Sequence, residues 1–258
     1  MDVPAVVAAP FKYQRWLPYW AVLRTDVRQA LRSWVYRLWV IVTLLAAGGF
    51  LIYRVGVHRE AGLVEPAAVQ TSDLLRAVAL GSLALIVVMS VSSISSERGT
   101  LADSVLSRGI SRYQYFVAKW HARTVVVVGT FVVLSAVMLT AFHFLLSDDL
   151  TLLGSVAAIA AISAMLAGVV ACGVAVGGLT NSTVVGITGL WIVLYGSGLL
   201  MSLLPGTVPT PEKALSRLPH VLAGAYNLPA LTDYVFVGLV GAVGAGVIGM
   251  LGFARKDV

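Results

Sequence analysis

Between Leu150 and Pro211 the chain runs for 62 residues without a single Asp, Glu, Lys or Arg. One α-helix of that length would reach about 93 Å, whereas a bilayer core is about 30 Å thick. The run must therefore turn back on itself. The one strong polar turn signal inside it is Thr180-Asn181-Ser182-Thr183, a cluster of residue types that marks reversals. Two spans result, 152–179 and 184–204. In lipid the backbone finds no water to bond, so segments this apolar are read as helices that satisfy their own polar groups.

Four more windows have the same character: 34–53, 74–95, 124–146 and 234–254. Hydrophobic residues make up 59% of the 258 and charged residues 12%, against about 25% charged in a soluble domain. The expected fold class is an all-α integral membrane protein, one transmembrane domain over 1–258 with six transmembrane helices. The net charge of +6 does not point to nucleic acid, because the basic residues flank apolar spans instead of forming a stripe on a soluble face. The single cysteine, Cys172, excludes an internal disulfide and sits in an apolar run as a small packing residue. The opening MDVPAVVAAPFKYQRW is not read as a cleavable signal, since its apolar patch precedes its positive charges.

Basic residues set the expected orientation. With the N-terminus cytoplasmic, the inside segments hold Lys12, Arg15, Arg24, Arg28, Arg32, Arg37, Arg98, Arg108, Arg112, Lys119, Arg123, Arg255 and Lys256. The outside keeps Arg54, Arg59, Arg76, Lys213 and Arg217. This bias places both termini in the cytoplasm of a multi-pass inner-membrane protein.

Three polar segments interrupt the spans. In the first, 1–33, Trp16, Trp20, Leu23, Val27, Leu31 and Trp34 recur every three or four residues with basic residues and Asp26 between them. That is an amphipathic helix suited to the inner membrane interface and its lipids. The second, 96–123, is far longer than the join between two spans requires. Its Leu101, Val105 and Leu106 form one small apolar face, with Ile110, Tyr113 and Phe116 beyond a break. Short helices are expected over Ser104–Arg108 and Ser111–Lys119, with Ser111 as the N-cap of the second. A cytoplasmic hairpin of this kind invites a docking partner. The third, 205–233, is an outer loop whose mixture of prolines and apolar residues suits short helices in a re-entrant segment, broken at Pro219 and Pro229.

Catalytic signatures are absent. The chain has no GxxxxGK[ST] phosphate loop, HExxH, GxSxG or CxxC. His58, His121, His143 and His220 are scattered; His143 lies in the third span near its outer end, where snorkelling accounts for it. No metal site is expected. The spans carry no acidic or basic group near mid-membrane of the sort that ion-coupled transporters use, so the energy for any transport comes from another source. Gly241, Ala245 and Gly249 at four-residue steps form a small-residue stripe for helix packing.

Taken together, these parts resemble the permease subunit of the ABC-2 class of ATP-driven transporters. Members have six spans, an amphipathic N-terminal helix and a long loop between spans two and three. That loop reads as Glu, a basic residue, Gly-Thr-Leu, a leucine-rich turn, Pro, a short gap, Ser-Arg and a distal Lys. Glu97, Arg98, Gly99, Thr100, Leu101, Leu106, Ser111, Arg112 and Lys119 occupy those places here, with Gly109 where the family has Pro. The ending Phe253-Ala254-Arg255-Lys256-Asp257-Val258 is similar to the family's Phe-Arg-Arg-Asp. The resemblance extends over essentially the whole chain.

It implies a permease subunit, expected to be an exporter, that pairs with a second copy or a homologous permease above two separate ABC ATP-binding subunits. ATP and magnesium would be bound by those partners, and no cofactor by this chain. The loop, including Arg108 and Ile110, would pass ATPase closure to the spans. Arg108, Arg112 and Lys119 would meet acceptors on the ATPase. Glu97 would hold the loop by pairing with Arg123 or with the N-terminal helix, and Arg123 would otherwise face solvent or lipid phosphate. A structural or assembly membrane protein that docks a non-ATPase partner on the same loop remains the alternative, and a membrane-embedded enzyme lacks the catalytic groups it needs.

Overall fold

The structure, a computed structural model, describes residues 16–61, 66–97, 110–145, 149–202, 210–225 and 228–255. Among these the elements are helical, with no strand. In chain order they are α1 Leu17–Arg32, α2 Trp34–Ala61, α3 Ala67–Ser95, α4 Arg112–Leu145, α5 Leu152–Leu179, α6 Thr183–Ser202, α7 Pro211–Ser216, α8 Leu218–Leu222 and α9 Leu228–Arg255.

Five of them, α2, α3, α4, α5 and α9, are long and apolar enough to cross a membrane. The span expected over 184–204 corresponds to α6, an apolar helix shorter than those five. Several helices are longer than their apolar windows. The helix of the third window starts at Arg112, not Thr124, so the short helix expected over Ser111–Lys119 is the first part of α4. At about 1.5 Å per residue, its 34 residues reach about 51 Å, well beyond a bilayer core. Ser111 does cap it. Its Oγ accepts from the Gln114 backbone N–H at 3.2 Å, while the Gln114 side chain accepts from the Ser111 N–H at 3.3 Å. That reciprocal pair is a capping box.

The centre of the bundle is α3 and α5, both largely buried. The most extensive helix pair is α5 with α9, and small residues permit it. A Cβ on Gly249 would lie 2.5 Å from the Ala175 Cβ, and one on Gly238 would lie 3.1 Å from the Ala164 backbone. Gly241, expected in the same packing stripe, has nothing within 4 Å of its Cβ position. The contacting stripe is Gly238, Ala242 and Gly249, and Ala245 is only partly buried beside it. Real helices advance 3.6 residues per turn, so a strict four-residue stripe drifts off the contact face. Polar side chains also join neighbours inside the apolar region. The fully buried Trp39 of α2 donates its indole N–H to Ser82 Oγ of α3 at 2.7 Å.

Contacts at the helix ends fix the topology. At one end Asp149 accepts from the Ala67 and Ala68 backbone N–H groups at 3.0 and 3.3 Å, a carboxylate at the positive end of α3. Thr151 caps α5 there and donates to the Leu222 carbonyl, seating α8 on the bundle. The two expected breaker prolines begin helices instead: Pro219 stands in the first turn of α8 and Pro229 in that of α9, where the missing N–H has no helical acceptor to lose. At the other end Ser95 Oγ lies 2.8 Å from Thr183 Oγ1, and Arg112 donates to the Ala254 carbonyl at 3.3 Å. The described chain thus begins and ends at the same end of the bundle.

Candidate functional site

The second end of the bundle gathers the ion pairs. It is built where α1 lies against α4. The face of α1 turned to the bundle carries Tyr19, Val22, Asp26 and Ala30, spaced at helical intervals, with Asp26 and Ala30 fully buried. Along one side of that face stand Trp16 and Trp20, both more than 60% exposed and edge-on to Tyr19, and Leu31; Trp34, in the first turn of α2, is 73% exposed. Leu23 and Val27 are half-buried at the margin. The tryptophans are therefore left largely uncovered by the protein. Asp26, which the periodicity assigns to the polar face of α1, is inside.

Its partners come from α4. Lys119 Nζ donates to Asp26 Oδ1 at 2.8 Å and to Glu97 Oε1 at 2.6 Å. Arg123 Nη2 approaches Asp26 Oδ1 at 3.4 Å, and its Nε lies 3.4 Å from Oδ2. Tyr115 Oη donates to Glu97 Oε2 at 2.7 Å. Lys119 also lies over the Tyr115 ring, 5.6 Å from its centroid. On its other side Tyr115 stacks on Phe253 of α9, with centroids 6.1 Å apart. One chain of contacts thus joins α1, α3, α4 and α9.

The charges in this cluster balance: two cations face two carboxylates. Lys119 is 3% exposed and Arg123 7%, so neither is free to face lipid phosphate or a separate subunit. Both expectations are corrected. Glu97 pairs with Lys119 and Tyr115, not with Arg123, and the contact to the N-terminal helix runs through Lys119 to Asp26. A buried ammonium costs too much without a partner, so the folded chain supplies one internally. Beside the cluster, Tyr19 Oη lies 2.7 Å from His121 Nδ1. Burial pushes the Tyr19 phenol above its ordinary value.

The cluster brackets the long loop. Glu97 is the last described residue before it, and Ile110 and Arg112 stand immediately after it. Ile110 packs against the core, and Arg112 is half-buried at the C-terminal end of α9, where a cation suits the helix dipole. Arg98, Gly99, Thr100, Leu101, Leu106 and Arg108, with the short helix expected over Ser104–Arg108, lie outside the described residues. Tyr115, Asp26 and Arg123 are the members that sequence reasoning missed or misplaced. A signal for them exists in hindsight: Tyr115, Lys119 and Arg123 are four residues apart and form one polar stripe on an otherwise apolar helix. Asp26 is the only acidic residue among the basic ones of α1.

Chemically the cluster is a clamp. It holds no nucleophile poised against a base, and the described residues contain no group of three metal-ligating side chains. His143 is exposed and packs edge-on to Phe144. Cys172 is half-buried against the Val87, Val91 and Leu190 cluster. A helical bundle with five membrane-length apolar helices and its buried ion pairs at one end has the fold of a multi-pass membrane protein. No protein-family model matches the chain, and no curated protein matches it.

Proposed function

We propose that the chain is the membrane-spanning permease subunit of an ATP-driven transporter of the ABC-2 class, an exporter that pairs with a second permease and docks separate ATP-binding subunits. The observation that carries this reading is the buried Asp26–Lys119–Glu97 bridge. It ties the interfacial helix and both roots of the 98–109 loop into one rigid unit. A loop so anchored transmits a push from a docked partner to α3, α4 and α1 together, whereas a loosely rooted loop would absorb it. In this reading Lys119 acts as a positioning residue inside the subunit, and the partner-facing contacts fall to the loop itself, with Arg98 and Arg108 as its basic residues.

The six-span arrangement follows if α6, 20 residues and about 30 Å long, is counted as a crossing. Both termini then share one side, which the distribution of Lys and Arg assigns to the cytoplasm. Purifying the tagged chain from membranes that also contain ATP-binding-cassette proteins provides the test. The expected result is a complex that hydrolyses ATP, with no turnover by this chain alone. Recovery of a stoichiometric partner that has no ATPase activity would favour the assembly reading and overturn this one.

A further inference from the structure

A cavity of about 820 Å³ opens in the other half of the bundle, beneath α7 and walled by α3, α5, α6 and α9. Its interior is apolar: Leu83, Met165, Val169, Trp191 and Val237 line it, together with Val87 and Cys172. Two features make it more than a packing gap. First, it is open to the side. α6 packs on the bundle near its first turns, with Gly186 and Leu190 against Val91, and it makes no substantial contact with α9. Tyr195 and Val237, on the two edges of that gap, are 69% and 49% exposed. Second, its mouth carries one cation and one carboxylate, Arg76 of α3 and Glu212 of α7. Both are exposed, and among the described residues neither is ion-paired.

We infer that this cavity binds one membrane lipid with a zwitterionic headgroup that carries both a phosphodiester and a primary ammonium. The size suits a ligand-binding cleft, for which about 300–1,000 Å³ is usual. An acyl chain enters through the gap between α6 and α9 and lies along the apolar wall. The phosphodiester meets the Arg76 guanidinium, whose forked donors match it. The ammonium meets Glu212. A purely anionic headgroup would satisfy Arg76 and be repelled by Glu212, so the pair of opposite charges selects for a headgroup that carries both. The site does not depend on any ATP-binding partner, and its test is run on the chain alone.

The probe is phosphatidylethanolamine with a diazirine in its acyl chain, compared with phosphatidylglycerol bearing the same chain, each in vesicles holding the purified protein. Labelled positions are mapped by mass spectrometry. Phosphatidylethanolamine is expected to label the cavity wall around Met165, Trp191 and Val237 about fivefold more than phosphatidylglycerol does. Arg76→Gln lowers that labelling. Glu212→Gln narrows the difference between the two lipids, and Gly241→Leu, which adds a side chain to the cavity wall, blocks labelling by both. Labelling confined to outward-facing Ile192, Val193 and Leu239 would mean bulk lipid only and overturn the site. Equal labelling of the wall by the two lipids would overturn the headgroup assignment. If Arg76→Gln does not fold, Glu212→Gln decides alone: an unchanged preference overturns the proposal.

Discussion

Lys119 of α4 and Asp26 of α1 stand 93 residues apart and meet at 2.8 Å in the interior of the protein. This contact, with Arg123 beside it and Glu97 on the other side of the ammonium, fastens the otherwise peripheral α1 to the bundle. It also makes Asp26 the residue whose loss matters most at this end. Asp26→Ala leaves the buried Arg123 without its carboxylate and Lys119 with Glu97 alone, a change that costs about 3–5 kcal/mol. The expected outcome is a clear drop in thermal unfolding temperature in detergent. Replacing the buried charges together, Asp26→Leu with Lys119→Met and Arg123→Met, should recover part of the loss, because apolar substitutes need no partner and Glu97 keeps its bond from Tyr115. A triple variant as unstable as Asp26→Ala would show that the ion pairs themselves, beyond mere neutralisation, hold α1 in place.

Helix packing along α5 and α9 makes a second prediction. At Gly249 a side chain meets Ala175 at 2.5 Å, while at Gly241 there is open space. Gly249→Val should therefore destabilise the bundle by about 1–3 kcal/mol through overpacking. Gly241→Ala should change little. Comparing detergent-solubilised yield and unfolding temperature of the two variants measures the contrast, and equal effects would contradict the stripe.

Two arginines, one within the loop and one just after it, should behave differently. Arg112 donates to the Ala254 carbonyl at the end of α9, so Arg112→Glu sets a carboxylate against the negative end of that helix and should lower stability by about 1 kcal/mol. Arg108→Glu should leave folding intact and weaken capture of the ATP-binding partner. An Arg108→Glu chain that keeps full partner-stimulated ATP hydrolysis would remove the loop from the coupling role.

Orientation can be read by thiol labelling in a Cys172→Ala background. Ser72 and Thr210 are buried and unsuitable as reporters, whereas Glu212 and Ser111 are exposed. Glu212→Cys should react in intact cells and Ser111→Cys only after permeabilisation. The reverse pattern would invert the proposed topology.

The sequence by itself determined which segments form long apolar helices and which residue caps α4. The apolar windows all fall within α2, α3, α4, α5, α6 and α9 or at their immediate ends, and Ser111 caps α4 as its position before the helix implies. Those are local properties, set by side-chain hydropathy and by short-range capping. Which faces meet was decided only by the tertiary structure. A helix that is apolar all round has no hydrophobic direction, so nothing in the α9 sequence tells Gly241, which meets nothing, from Gly249, which lies against Ala175. Asp26 likewise reads as a surface charge until α4 brings Lys119 and Arg123 against it. An isolated charge belongs in water, but one matched by partners from a distant helix is buried because those partners replace the water it gives up.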